Sequence, residues 1–343
     1  MAKRIDRIER SISVRTKDHY ALSSMGDILY LLGPWMISIL FLLSLPLLLG
    51  TNDYLLGIFT TAGIYSLLAM SWTLLAMIRL FSLGHAMYIG IAGYLIGFLN
   101  THFHIPISVS LVLGLLLGTV LCVALLTLCL RVKNVYFLLA TFVIPLMIAQ
   151  ICFLFPKLFR AEEGISGIET LSYGPIPSQI GHYYVVTLLV ILILLWTRRF
   201  INSKEWGLII LCIGDNEYAV EASGLNVWQY KVLLFTVSTF IALLGGALNV
   251  EQLGYVGPSF LNLDLSLLPL LGSIIEGVSK SMVGPVLGTY LLVILLEGLR
   301  ITSNWKVILY ATILIGVMLM RPKGLFYYLT QTYRYSKRVY DEP

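Results

Sequence analysis

ISVSLVLGLLLGTVLCVALLTLCL at 107–130 decides the fold. The run contains no charged residue and stops at Arg131 and Lys133. A hydrocarbon core about 30 Å thick is crossed by about 20 residues of helix, and an uncharged run of that length reads as a span. Working outward from it, polar and proline-containing stretches divide the chain into ten apolar segments: roughly 28–49, 54–77, 80–99, 107–130, 135–155, 183–197, 232–250, 264–278, 283–301 and 305–320. The sixth and eighth are short for a full crossing, so tilted, re-entrant or broken segments are expected among them. With 58% hydrophobic residues, 12% charged residues and mean hydropathy +0.87, the chain carries more apolar surface than a soluble domain of 343 residues could bury. The expected fold is an all-α integral membrane protein of about ten transmembrane or re-entrant helices.

Basic residues orient the spans, because cytoplasmic connections hold most of the lysine and arginine. With the N-terminus inside, all but Lys157, Arg160, Arg300 and Lys306 of the 23 Lys and Arg fall on the inner side. Both termini are therefore expected to be cytoplasmic. The chain divides into a basic segment at 1–27, a membrane domain at 28–320 and a basic tail at 321–343. No small-residue cleavage site follows the first apolar run, so no removable signal peptide is expected. The four cysteines, Cys122, Cys129, Cys152 and Cys212, form no CxxC pattern and read as small buried hydrophobes.

Two connections are long. The outer one, 156–182, is acidic and rich in Gly and Pro, and is expected to form an extracytoplasmic cap. The inner one, 198–231, contains a short helix: Asp215 or Asn216 can cap its start, Glu217 suits its first turn, and Gly224 stands where a left-handed cap belongs. About two turns of helix are unstable alone in water, so this one must dock on something. Tyr218, Ala222 and Leu225, at i, i+4 and i+7, offer the apolar stripe for docking. A helix resting on the membrane surface or on its own bundle satisfies the same pattern.

Glycines at four-residue spacing, Gly93 with Gly97, Gly114 with Gly118 and Gly284 with Gly288, let helices approach closely. Around His85, Gly84, Gly90 and Gly93 permit a second reading, unwound backbone beside a translocation path. Ser82, Gly84, His85, Gly90, Gly93 and Glu276 are the candidate path residues. Each ionisable group near a span also has a plain structural role. Glu297 can pair with Arg300, Glu276 with Lys280, Asp264 can cap the next helix, Glu251 belongs at the outer end of its span, and His85 can bond a neighbouring backbone group. None is spaced as a metal site or a catalytic triad, so no metal and no catalytic residue is expected. No GxxxxGK[ST] occurs, so the chain offers no phosphate-binding loop and any ATP must be hydrolysed elsewhere.

From about Ser71 to Leu325 the chain resembles the permease subunits of branched-chain amino-acid ABC importers, the LivM-type group. The resemblance rests on LFSLGHAMYIGIAGYLIG at 80–97, YFLLATF at 136–142, EGISGI at 163–168, IGDNEYAVEASGLNVWQYK at 213–231, GPVLG at 284–288 and RPKGL at 321–325. At 277–281 the chain reads GVSKS where that group has a glycine-rich turn. The resemblance implies a non-enzymatic, cofactor-free, multi-pass subunit of a bacterial-type plasma (inner) membrane, translocating leucine, isoleucine or valine. Its partners would be the lipid bilayer, a second homologous permease in a heterodimer, two ATPase subunits and an extracytoplasmic solute-binding protein, with no nucleic acid. It also implies that the 198–231 loop couples to the ATPases through Asp215, Asn216, Glu217, Tyr218, Glu221, Ala222, Gly224 and Leu225. Urea or short amides are alternative solutes. An ion-coupled secondary transporter would need charges near the bilayer midplane, and a membrane enzyme would need convergent His, Asp or Glu.

Overall fold

The computed structural model describes residues 52–132, 135–203, 205–276 and 282–299, together with 40, 42–48, 312 and 315. Residues 1–50 form one unit, of which 42–48 are helical, and residues 51–343 form a second. The second unit holds the site. Its helices are α1 (Asp53–Met77), α2 (His85–Thr101), α3 (Ile107–Thr127), α4 (Val135–Leu154), α5 (Pro156–Phe159), α6 (Ser178–Ile201), α7 (Trp206–Asp215), α8 (Glu217–Ala222), α9 (Val227–Leu253), α10 (Leu263–Glu276) and α11 (Val283–Gly298). Strand β1 (Ile165–Ser166) pairs antiparallel with β2 (Tyr255–Val256), Ile165 opposite Val256.

Five of these helices, α1, α3, α4, α6 and α9, are long and apolar enough to cross a membrane. Helix α10 is described over 14 residues, about 21 Å. The sixth expected span proves longer than predicted. It runs for 24 residues as α6, because Pro177 starts the helix before the apolar run and Arg198 and Arg199 still lie within it. The expected spans at 28–49 and 305–320 fall largely outside the described residues, as do Lys280 and Arg300 with their proposed ion pairs.

Small residues bring the central helices together. A β-carbon at Gly245 of α9 would lie 3.2 Å from the Ile64 carbonyl of α1, and one at Gly246 would lie 2.7 Å from the Tyr88 carbonyl of α2. Gly114 packs against Ile96, and Gly118 against Leu243. The chain after α9 then descends the face of α2. Gly93 meets Val256, Gly90 meets Leu261, and the Ala86 amide donates to Ser266 Oγ at 2.8 Å, while Gly97 at the far end of α2 meets Ile165 and Ile168 of the 156–182 connection. Gly90 and Gly93 therefore lie in regular helix, where they make room for side chains. They are packing glycines, and the unwound-backbone reading is corrected for both.

In contrast, α3 and α4 turn much of their surface outward. Val109, Val112, Leu116, Leu117 and Val120 on α3, and Leu139, Val143, Met147 and Ile151 on α4, are exposed. A leucine-rich helix exposed in this way is stable in hydrocarbon, where its backbone is satisfied internally. Cys122 and Cys152 are buried, whereas Cys212 is exposed on α7, against the expectation for that residue.

Candidate functional site

Three polar regions are spaced along the bundle. At one end, α7 and α8 form a small platform. Gly214 of α7 lies so close to α1 that a β-carbon would stand 2.1 Å from the Met77 carbonyl, so α7 is seated against the end of that helix. The ten-residue α7 lies within the 198–231 connection, where the sequence predicts only the shorter helix after Asp215. Asn216 caps α8 by accepting from the Ala219 amide at 3.3 Å, Glu217 lies in the first turn, and Gly224 has φ +84°, a left-handed position suited to glycine. Asp215 is not a cap residue. It closes α7 instead.

The docking of α8 differs from expectation. Val220 is its buried residue, and Lys231 Nζ of α9 lies 2.7 Å from Glu217 Oε1. The instability of so short a helix is thus answered within the chain itself. Tyr218, Glu221, Ala222 and Leu225 remain exposed, so the apolar stripe drawn from the sequence lies on the outer face of the platform.

From that end of α1, the non-helical segment 78–84 leads back into the bundle and joins α1 to α2. Trp72 Nε1 donates to the Ser82 carbonyl at 2.9 Å, the Gly84 amide donates to Ser82 Oγ at 3.1 Å, and the Leu83 amide donates to Thr141 Oγ1 at 3.2 Å. Pro145 inside α4 has no amide hydrogen to give the Thr141 carbonyl. That carbonyl would lie 2.5 Å from a β-carbon on Gly84, which explains why the motif carries glycine there. His85, fully buried, approaches Ser71 Oγ through Nε2 at 3.3 Å, and Ser71 Oγ lies 2.9 Å from Ser238 Oγ. Its partner is thus a side chain and not the backbone group expected. Nδ1 of His85 is buried without a hydrogen-bond partner. Glu276 ends α10 and is not brought to this cluster by any described contact.

At the opposite end, the 156–182 connection is tied down by Glu251 together with Asn100, Glu169 and His182, which the sequence did not single out. Asn100 at the end of α2 accepts from the Glu169 amide at 3.0 Å and donates to Glu169 Oε2 at 3.2 Å. Glu251, in the last turn of α9, accepts from the Leu171 amide at 2.9 Å and pairs with His182 Nδ1 of α6. Tyr173 Oη lies 3.4 Å from the same nitrogen, and burial together with the Glu251 charge pushes its phenol up to about 12. EGISGI acquires a physical role here: Gly164 (φ +66°) fits beneath the Val256 carbonyl, and Ile165 and Ile168 plug the bundle against Gly97. Beside this cap, Leu146, Ala149, Gln150 and Phe153 of α4 face Glu162, Ser259 and Asn262 across a groove of about 370 Å³. Asp264 lies in the first turn of α10 and is not its cap; the Leu265 amide bonds the Asn262 carbonyl. Glu297 accepts from Tyr54 Oη, which ties α11 to α1.

The family described as "Branched-chain amino acid transport system / permease component" matches residues 54–320, the whole of this arrangement. The chain belongs to that family. Among curated relatives, the fructose import permease protein FrcC of Rhizobium meliloti is 24% identical over 66% of the chain and 65% of its own length. The autoinducer 2 import system permease protein LsrC of Enterobacter sp. (strain 638) is 24% identical over 77% of each chain. The ribose import permease protein RbsC of Escherichia coli (strain K12) is 26% identical over 36% of the chain and 40% of its own length. The chain thus spans just under two thirds of FrcC. No solved structure matches it. Family membership makes the chain a membrane permease component of a transport system. These relatives are named for sugars and autoinducer 2, so the branched-chain specificity implied by the LivM-type resemblance does not extend to them.

Proposed function

We propose that the chain is the membrane-spanning permease subunit of an ATP-driven importer, and that the exposed face of α8 docks an ATPase subunit. The observation that carries this reading is the construction of α8. Val220 and Glu217 hold the helix to its own bundle, while Tyr218, Glu221, Ala222 and Leu225 project from it. The inner end of the bundle is then the α7–α8 platform. Both termini lie on that cytoplasmic side of a bacterial-type inner membrane, and the stitched 156–182 cap receives a solute-binding protein outside. A second permease and two ATPases complete the assembly. Ser82, Gly84 and His85 form a bend beside the solute path, with the unpartnered His85 Nδ1 as its polar mark.

For the solute, we infer a small neutral molecule bearing several hydroxyl groups. The groove beside the cap offers a carboxylate, two carboxamides, a hydroxyl and one aromatic ring, with no cation among its lining residues to meet a solute carboxylate. The names of the relatives point the same way. A branched-chain amino acid is the second reading, favoured by the family's own description. Competition for uptake in cells carrying the assembled transporter tests both. Inhibition by fructose or ribose supports the first, and inhibition by leucine alone replaces it with the second.

A further inference from the structure

Helix α9 carries a buried charged residue in a polar contact at each end. Near its start, Lys231 meets Glu217 of α8 at 2.7 Å, with side chains 7% and 24% exposed. In its last turn, Glu251 meets His182 of α6, with side chains 2% and 7% exposed, and also holds the Leu171 amide of the cap. The residues between these pairs rise about 30 Å, the thickness of the hydrocarbon core, so the pairs stand at opposite membrane faces. No proline interrupts α9, and its inward face is buried from Leu234 to Glu251. Between the two pairs, Ser238 Oγ donates to the Ser71 carbonyl at 2.9 Å and sits beside the Ser71–His85 contact. One unbroken helix is therefore fixed to the platform, to the bend beside His85 and to the cap.

Taking a charge out of water costs much of what such a contact returns, so a buried Lys231 and a buried Glu251 on one helix ask for another role. We infer that α9 transmits cap engagement to the ATPase platform, and that Lys231 and Glu251 are the positioning residues that fix its two ends. This rests on the docking assignment of α8 above. Pulling the cap or the platform then moves α9 as a rigid rod, because neither end can slip without leaving a charge buried and unpaired. The loose alternative, α8 attached through Val220 alone, would let the platform move while α9 stayed in place.

The test uses the assembled transporter, with ATPases and binding protein, in proteoliposomes. The double variant Glu217→Gln/Lys231→Met removes both inner charges and leaves none unpaired, so it separates transmission from folding. The inferred role predicts a stable complex whose uptake per ATP falls about tenfold, within the usual range of coupling between sites, while Lys231→Arg keeps wild-type coupling. At the other end, Glu251→Gln should blunt ATPase stimulation by the loaded binding protein to a similar degree. Wild-type uptake per ATP in the double variant would overturn the inference, as would a wild-type response in Glu251→Gln. If the double variant fails to accumulate, Glu217→Asp keeps both charges but shortens the reach. Reduced uptake per ATP then supports transmission, and an unchanged ratio refutes it. Failure of the docking assignment looks different: Ala222→Arg would retain both its ATPases and full uptake.

Discussion

The two ends of α9 meet connections of opposite construction. At the cap, 161–177 is joined to the bundle by a strand pair, by two buried isoleucines, by Asn100 with Glu169, and by Glu251 with His182 and the Leu171 amide. At the platform, six residues of helix bury Val220, share one ion pair with α9 and leave most of their surface exposed. The cap is built to keep its shape while something lands on it. The platform is built to present a face and to be completed by a partner. A short helix needs a docking site to exist at all, but that site can lie in its own chain, and here the face left over is the one available for function.

Steric changes at the platform should break this contrast most severely. Gly214→Ala drives a β-carbon into the Met77 carbonyl, a backbone atom that cannot swing aside, and should cost more than about 3 kcal/mol. The expected result is loss of co-purifying ATPase, or of the folded chain, in a detergent pull-down. Gly84→Ala meets the Thr141 carbonyl in the same way and should abolish uptake. Next, Glu251→Ala leaves the Leu171 amide and His182 without their shared acceptor, a loss of about 2 kcal/mol that should read as a lower melting temperature of the purified complex. The smallest effect belongs to Gly224→Ala. No atom stands within 4 Å of the added carbon, so only the left-handed φ of +84° is penalised, by about 1 kcal/mol. Uptake should survive that change.

Topology sharpens the contrast without perturbing it. Ser172→Cys, exposed on the cap, should react with an impermeant maleimide in intact cells. Labelling only after the membrane is opened would exchange the two faces.

The membrane class, the positions of the five long apolar helices and the α8 helix with its Asn216 cap and Gly224 could be read from hydrophobic run length and local capping chemistry. These signals are carried by consecutive residues. Partnerships between distant positions were hidden, because a single chain gives no sign that Lys231 belongs with Glu217, or that Glu251 belongs with both His182 and Leu171. Lys231 was visible only as a basic residue on the inner side, and Ser71, Ser238 and Ser266 only as minor interruptions of apolar runs. Gly90 and Gly93 misled for the opposite reason. Glycine that unwinds a helix and glycine that admits a neighbour look identical until Leu261 and Val256 are seen against them. Helix α7 escapes a reading by run length because its ten residues, ending in Asp215, are too few for a span.

The face of α8 can be tested by proximity. In membranes containing the assembled transporter, Ala222→Cys should form a crosslink to an ATPase subunit with a short bifunctional thiol reagent, and Ser172→Cys on the cap should form none. A crosslink from the cap position, or an Ala222→Cys chain that stays unlinked in a complex still importing solute at the wild-type rate, would contradict the assignment of α8 as the ATPase contact.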